Sequence, residues 1–123
     1  MAKEKTAEKQ TVLQKSKRFA IRIVKLYRYL CEEKKEFVMS KQILRCGTSI
    51  GANLSESIAA ISKKDFMAKV YIALKECSET LYWLELLKDT DYITEDMYRS
   101  MQGDCEEIRK MLSSSTMTLK SEL

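Results

Sequence analysis

The chain has no proline and only three glycines in 123 residues, and this scarcity limits what it can fold into. Tight turns rely on Gly and Pro, because Gly accepts a positive φ and Pro presets a negative one. An all-β chain needs many tight turns, whereas a few long helices need few connections. The composition therefore favours a helical fold.

Apolar residues recur every three or four positions in four segments, which is the spacing of one face of an α-helix. Ser40, Ser62 and Thr94 stand where N-caps are expected, and Ser62 with Asp65 has the pattern of a capping box. We predict helices at about residues 16–35, 40–61, 63–89 and 95–113. The buried stripe of the second helix is predicted to consist of Ile43, Gly47, Ile50, Leu54, Ile58 and Ile61.

Links of roughly two to six residues would join these helices, and links this short favour antiparallel neighbours. We therefore predict an all-α fold, an antiparallel up-down-up-down four-helix bundle over residues 15–112. Residues 1–14 are predicted to be a polar, poorly ordered lead-in. Residues 113–123 are predicted to be a frayed C-terminal tail.

Several classes of function are disfavoured by what the sequence lacks. Without any His, neither a Ser–His or Cys–His nucleophile system nor a His-ligated metal site can be assembled within the chain. The longest uncharged stretch, Cys46 to Ser55, is far shorter than the ~20 residues that span a bilayer. Residues 1–18 carry six Lys or Arg and no apolar run, unlike a secretory signal. We expect a cytoplasmic protein that is not an enzyme and has no membrane partner.

Three segments resemble a known family of four-helix bundle proteins: Ser40 to Glu56 (SKQILRCGTSIGANLSE), Ser62 to Phe66 (SKKDF) and Ile72 to Leu84 (IALKECSETLYWL). Proteins of this family are encoded in intervening sequences of bacterial 23S ribosomal RNA genes and are sometimes labelled ribosomal proteins. The family is similar in fold to the accessory protein of diversity-generating retroelements, a pentamer that binds nucleic acid beside a reverse transcriptase. The resemblance implies a homopentamer, a role in RNA binding and a nucleic-acid-handling protein partner.

The first helix carries a stripe of basic residues at spacings of three and four, and these are candidate nucleic-acid contacts. Clustered cations bind phosphates by releasing counterions, and an exposed Tyr can stack on a base. Residues 1–62 hold 13 basic and 6 acidic residues, a net charge of +7, whereas residues 63–123 hold 9 and 12, a net charge of −3. An ordinary solvated face that pairs with a neighbouring subunit would show the same pattern. The stripe consists of Lys15, Arg18, Arg22, Lys25, Arg28 and Tyr29.

A second polar group follows the buried stripe of the second helix. In an antiparallel pair, residues that are equally distant from the link lie at the same level of the bundle. This rule places Asn53 near Tyr71, Ser49 near Lys75, and Glu56 near Arg22. A ligand pocket is one interpretation, and the favoured one is a structural hydrogen-bond network that fixes helix register. The predicted network consists of Ser49, Asn53, Glu56 and Tyr71.

Each predicted helix carries one cysteine, and the same rule places all four near one level of the bundle. A zinc site is geometrically conceivable there, but no CxxC spacing exists and free cysteines are usually buried. We therefore predict core cysteines, with no metal and no cofactor. The four are Cys31, Cys46, Cys77 and Cys105.

Two further features concern helix contacts. Gly47 and Gly51 form a GxxxG pattern, which permits close approach of another helix inside the bundle or across a subunit contact. The third helix, with Tyr82, Trp83 and Leu87, is apolar on more than one side, as in a central helix or an association surface. We carry two functional hypotheses: a non-catalytic oligomer that binds RNA through its basic face, and a structural or protein-interaction module.

Overall fold

The computed structural model describes residues 10–122, with side chains described as far as residue 114. Four helices account for nearly all of this range. They are α1 (Val12–Glu32), α2 (Met39–Ser57), α3 (Lys63–Asp89) and α4 (Glu95–Glu122). No helix within the described range is long and apolar enough to cross a membrane.

The helices pack in chain order, and α4 returns against α1. In each adjacent pair, residue numbers rise along one helix as they fall along the other, so all four neighbours are antiparallel. For α1 and α2 the contacts are Ile23 with Gly47 and Ser16 with Gly51, and for α2 and α3 they are Arg45 with Glu76 and Glu56 with Lys69. For α3 and α4 they are Cys77 with Cys105 and Lys88 with Tyr98, and for α4 and α1 they are Glu107 with Lys15 and Asp104 with Arg22. The predicted bundle is confirmed.

The first helix begins four residues earlier than predicted. Thr11 is its N-cap: the Thr11 hydroxyl accepts from the Gln14 N–H at 3.1 Å, and the Gln14 side chain accepts from the Thr11 N–H at 2.9 Å. This reciprocal capping box satisfies two backbone donors at the helix start. The predicted lead-in is therefore wrong for residues 12–14, and its residues 1–9 lie outside the described range.

The second helix is shorter than predicted at its C-terminal end. It ends at Ser57, and the chain turns through residues 58–61 to reach the Ser62 N-cap of α3. Ile58 is 71% exposed and Ile61 93% exposed, so the prediction that both are buried is wrong. The physical reason is that the chain reverses direction at residues 58–61. These residues form the link to α3, so their side chains do not continue the buried face of α2.

The N-terminus of α2 is capped by Glu36 and not, as predicted, by Ser40. The buried Glu36 carboxylate accepts from the backbone N–H groups of Val38 at 3.1 Å, Met39 at 3.0 Å and Ser40 at 2.7 Å. These are donors that the helix itself cannot pair, and the helix dipole favours an anion there. Ser40 lies inside the helix, fully buried.

The α3–α4 connection explains how the chain turns without glycine. Asp91 takes a left-handed conformation, with φ of 66°. The Tyr92 N–H donates to the Leu87 carbonyl and the Asp91 N–H to the Lys88 carbonyl, which is the Schellman pattern of a helix end. The helix that follows has Thr94 as its cap and continues to Glu122, so the prediction of a frayed tail from residue 113 is wrong for the backbone.

The core lies along the axis of the four helices and draws on all of them. Its largest fully buried apolar side chains are Phe19, Ile23, Leu30, Ile43, Ile50, Leu84, Leu87, Ile108 and Leu112. This core positions the outer face of α1, because its apolar stripe fixes which side of the helix faces solvent.

Candidate nucleic-acid interface

The predicted basic stripe of α1 is divided into two rows by the rotation of the helix. Lys15 and Arg22 point along the seam with α4, whereas Arg18, Lys25 and Arg28 lie on the exposed outer face. The division follows from helical geometry, because a rotation of 100° per residue separates positions 15 and 22 from positions 18, 25 and 28.

The row along the seam is paired with carboxylates of α4. The Arg22 guanidinium donates to Asp104 Oδ2 at 2.6 Å and to Ser100 Oγ at 2.8 Å. The Lys15 ammonium donates to Glu107 Oε2 at 3.2 Å. These acidic partners were not predicted, although Asp104 and Glu107 are three residues apart, which places them on one helix face.

The row on the outer face is solvated. Within the part of the chain that the structure describes, Arg18, Lys25 and Arg28 have no hydrogen-bond or ion-pair partner. They lie within ten residues of one helix, about 15 Å at 1.5 Å per residue. This outer row is the part of the predicted stripe that can take up an anion without first breaking an ion pair.

Tyr29 is not the free stacking platform that the pattern suggested. Its ring is half-buried and packs against the core, and the Lys34 ammonium lies 5.9 Å from its centroid.

A groove of about 420 Å³ opens between α1 and α4. These two helices pack together less extensively than any other adjacent pair of the bundle. Phe19 and Ile108 line the floor of the groove and are almost fully buried, while half-exposed Ile21 also lines it. Its polar lining consists of Gln10, Lys15, Arg18, Arg22, Asp104 and Glu107. Three cations and two carboxylates therefore share one recess, with a net positive charge.

The predicted network of Ser49, Asn53, Glu56 and Tyr71 does not form a chain of hydrogen bonds between α2 and α3. The Ser49 hydroxyl donates to the Arg45 carbonyl, and the Asn53 amide to the Ser49 carbonyl, both within α2. Glu56 pairs on the surface with Lys69 at 2.7 Å, so the predicted approach of Glu56 to Arg22 is wrong. Tyr71 is 40% exposed. The error is one of level along the bundle, because Ile23 contacts Gly47 and Glu56 lies about two helical turns further along α2.

Three of the four cysteines are core residues, whereas Cys31 is half-buried and its Sγ lies 3.8 Å from the Ser40 hydroxyl, so the prediction that all four lie near one level is wrong for Cys31. Cys46, Cys77 and Cys105 are fully buried, and the Cys105 thiol donates to the Cys77 carbonyl at 3.6 Å. Burial raises the pKa of Cys46 to about 11, and the contact with Cys77 together with burial raises the pKa of Cys105. Among the described residues, no group of three or more His, Cys, Asp or Glu side chains could hold a metal ion.

The glycine pair makes close contact inside the bundle. A Cβ atom at Gly47 would lie 2.7 Å from Cγ1 of Ile23, and one at Gly51 would lie 3.3 Å from the Ser16 hydroxyl. Both contacts are with α1, so the GxxxG pattern joins α1 to α2.

The surface of α3 retains apolar side chains outside the core. Tyr71, Ile72 and Tyr82 are exposed by 40%, 41% and 56%. Trp83 is half-buried, and its indole N–H donates to Glu79 at 3.1 Å, while Leu87 is fully buried. The predicted two-sided apolar character of α3 is thus a core stripe together with three exposed apolar side chains, among which polar Lys75 and Ser78 are interspersed.

Fold and surface together define a small all-helical bundle protein with a divided basic face. The chain belongs to the 23S rRNA-intervening sequence protein family, whose model matches residues 8–114, and the predicted resemblance is confirmed. It is also similar to the crystal structure of a protein of unknown function from the S23 ribosomal protein family of Bacteroides thetaiotaomicron VPI-5482. The two are 57% identical with a TM-score of 0.86, over 86% of this chain and 98% of the other. No functionally curated protein matches the chain.

Proposed function

We propose that this is a non-catalytic, oligomeric protein of the cytoplasm that binds RNA through the outer face of α1. The observation that carries the proposal is the row formed by Arg18, Lys25 and Arg28, exposed and unpaired within the described part of the chain. A short linear array of cations of this kind binds phosphates along a nucleic-acid backbone. The family description names the ribosomal RNA gene in which such proteins are encoded, and it is compatible with this role.

The chemistry of the described surface favours binding over catalysis. A nucleophile needs a nearby base and a lowered pKa. The buried thiols Cys46 and Cys105 instead have raised pKa values. Ser49, Asn53 and Glu56, for which a ligand pocket was the less favoured interpretation, are engaged within their own helix or on the surface.

The proposed assembly is a homopentamer, as the family resemblance implies. Exposed Tyr71, Ile72 and Tyr82 on α3 supply an apolar face suited to a subunit contact. A second candidate function uses the same face: a protein-interaction module, which these three residues favour because aromatic side chains are enriched at interface cores.

Fluorescence anisotropy with a labelled RNA oligonucleotide over a salt series tests the proposal, with the assembly mass measured on the same sample. Replacing Arg18, Lys25 and Arg28 together by Gln should weaken binding at least tenfold. It should also make the dependence of log K on log salt shallower by about 2, at ~0.7 per lost phosphate contact on a single strand.

The matched control replaces Lys35, Lys41 and Lys64 by Gln, which removes the same charge from exposed positions outside the outer row of α1 and outside the apolar residues of α3. Equal weakening by the two triple variants would reject the α1 face as the binding surface. A wild-type oligomer that fails to bind at low salt would leave the interaction module as the function. A monomeric mass at micromolar concentration would reject the assembly.

A further inference from the structure

The ion pairs of the α1–α4 groove differ in their setting from the other pairs of α4. Arg99 with Glu95 and Arg109 with Glu106 are contacts within one helix turn, whereas Arg22–Asp104 and Lys15–Glu107 join two helices and line a recess. The recess lies directly beside Arg18, a member of the exposed row.

The carboxylates in the groove hold the positions that phosphate oxygens would take. Carboxylate and phosphodiester are both anionic oxygen acceptors, and a guanidinium binds either of them through paired N–H donors. The side chains of Asp104 and Glu107 are 48% and 54% exposed, so water can replace their cation partners at small cost. An incoming phosphate can therefore replace the carboxylates as the partner of Arg22 and Lys15, and the displaced carboxylates become hydrated instead of remaining buried without a partner.

The shape of the groove selects what can enter it. Its volume of about 420 Å³ lies in the range of roughly 300–1,000 Å³ typical of small-ligand sites. Half-exposed Ile21 gives it an apolar edge, and Gln10 adds an amide donor and acceptor. A recess between two packed helices admits one splayed-out nucleotide, whereas the bases of a duplex are paired and point inward.

We propose that the α1–α4 groove is a subsite for one unpaired nucleotide of a single-stranded nucleic acid. The adjoining phosphates displace Asp104 from Arg22 and Glu107 from Lys15, while Arg18 extends the contact to the outer row. The shape of the groove selects unpaired strands, and the two acids act as competitors that lower the affinity for them. This inference rests on the proposed function and adds to it the strand type and the residues that set the affinity.

The test uses Asp104→Asn with Glu107→Gln, two nearly isosteric changes that remove the competitors and keep all cations. The probes are a labelled oligo-uridine and the same strand paired with oligo-adenosine. The double variant should bind the single strand about 2-fold to 30-fold more tightly than wild type. That range corresponds to the loss of two exposed ion pairs of ~0.2–1 kcal/mol each, since ~1.4 kcal/mol changes the dissociation constant tenfold.

The matched control is Glu85→Gln with Asp89→Asn, which raises the net charge equally at exposed positions of α3, a helix that does not pack against α1. It should tighten binding to either probe by less than about twofold, since exposed charges beyond a Debye length are screened. For the duplex, the groove variant should match this control. Melting curves of all variants check that each is folded.

An equal gain in the groove variant and the control variant would overturn the subsite, and so would an equal gain for single strand and duplex. Wild-type binding that depends on Arg18, Lys25 and Arg28, combined with no gain in the groove variant, would reject the subsite and keep the proposed function. Absence of binding by every variant would reject both.

Discussion

The first helix has two neighbours, and it meets them in opposite ways. Against α2 it packs so closely that Gly47 leaves no room for a methyl group beside Ile23. Against α4 it leaves a groove of about 420 Å³ bridged by solvent-exposed ion pairs. Close packing of this kind fixes a fold, because apolar interiors tolerate little change in volume. An ionic, open seam contributes little to stability and is therefore free to serve binding.

The largest expected effect comes from filling the α1–α2 contact. Gly47→Leu should lower the free energy of unfolding by about 3 kcal/mol, because Ile23 is fully buried and cannot move aside. Chemical denaturation measures this. The control is Gly103→Leu on α4, where a Cβ atom meets nothing within 4 Å and the gain in helix propensity should leave stability unchanged or raised. Equal tolerance at both sites would contradict the tight contact of α1 with α2.

The next effect concerns the turn that joins α1 to α2. Glu36→Ala removes an acceptor from three backbone N–H groups and should cost about 1–3 kcal/mol in the same denaturation experiment. Glu33→Ala, in the same turn but exposed, should change stability by less than about 0.5 kcal/mol. If the two variants were equally stable, Glu36 would not be the cap of α2.

The smallest effect is expected at the α1–α4 seam. Asp104→Asn with Glu107→Gln should cost less than about 2 kcal/mol in total at low salt, as two exposed ion pairs. The cost should shrink in 1 M salt, where the Debye length is about 3 Å. A loss as large as that of Gly47→Leu, unaffected by salt, would mean that the seam is structural and would end the contrast between the two sides of α1.

Much of the fold can be predicted from the sequence, because the determinants are local. The apolar repeats indicate four helices, and Ser62 and Thr94 cap α3 and α4 as their positions suggest. The capping box of Thr11 and Gln14 has the sequence pattern Thr-x-x-Gln, but buried polar Ser16 interrupts the apolar repeat that Val12 and Leu13 begin, so the pattern predicts a later helix start. Glu36 could not be recognised in this way, since its role depends on the path of the turn that folds it back onto α2.

The site was predicted less well than the fold, because the spacing along one helix fixes neither its rotation nor its axial register against a neighbour. The spacing of Lys15, Arg18 and Arg22 places them on one stripe, but spacing does not say which edge of the stripe faces a neighbour. Glu56 was expected near Arg22, whereas Asp104 of α4 holds that position. The α1–α2 link spans residues 33–38, earlier than the predicted helix bounds of 35 and 40 imply, and the resulting register puts Glu56 about two helical turns from Arg22 along the bundle.

The sequence by itself determined the helices, their order and the positive charge of the first half, because periodicity, caps and composition act within a few residues. Only the tertiary structure decided which cations of α1 are free and which are held by α4. That choice depends on how the core stripes of four helices align around one axis. Burial of apolar side chains determines this alignment, and the alignment in turn determines which charged residues are adjacent.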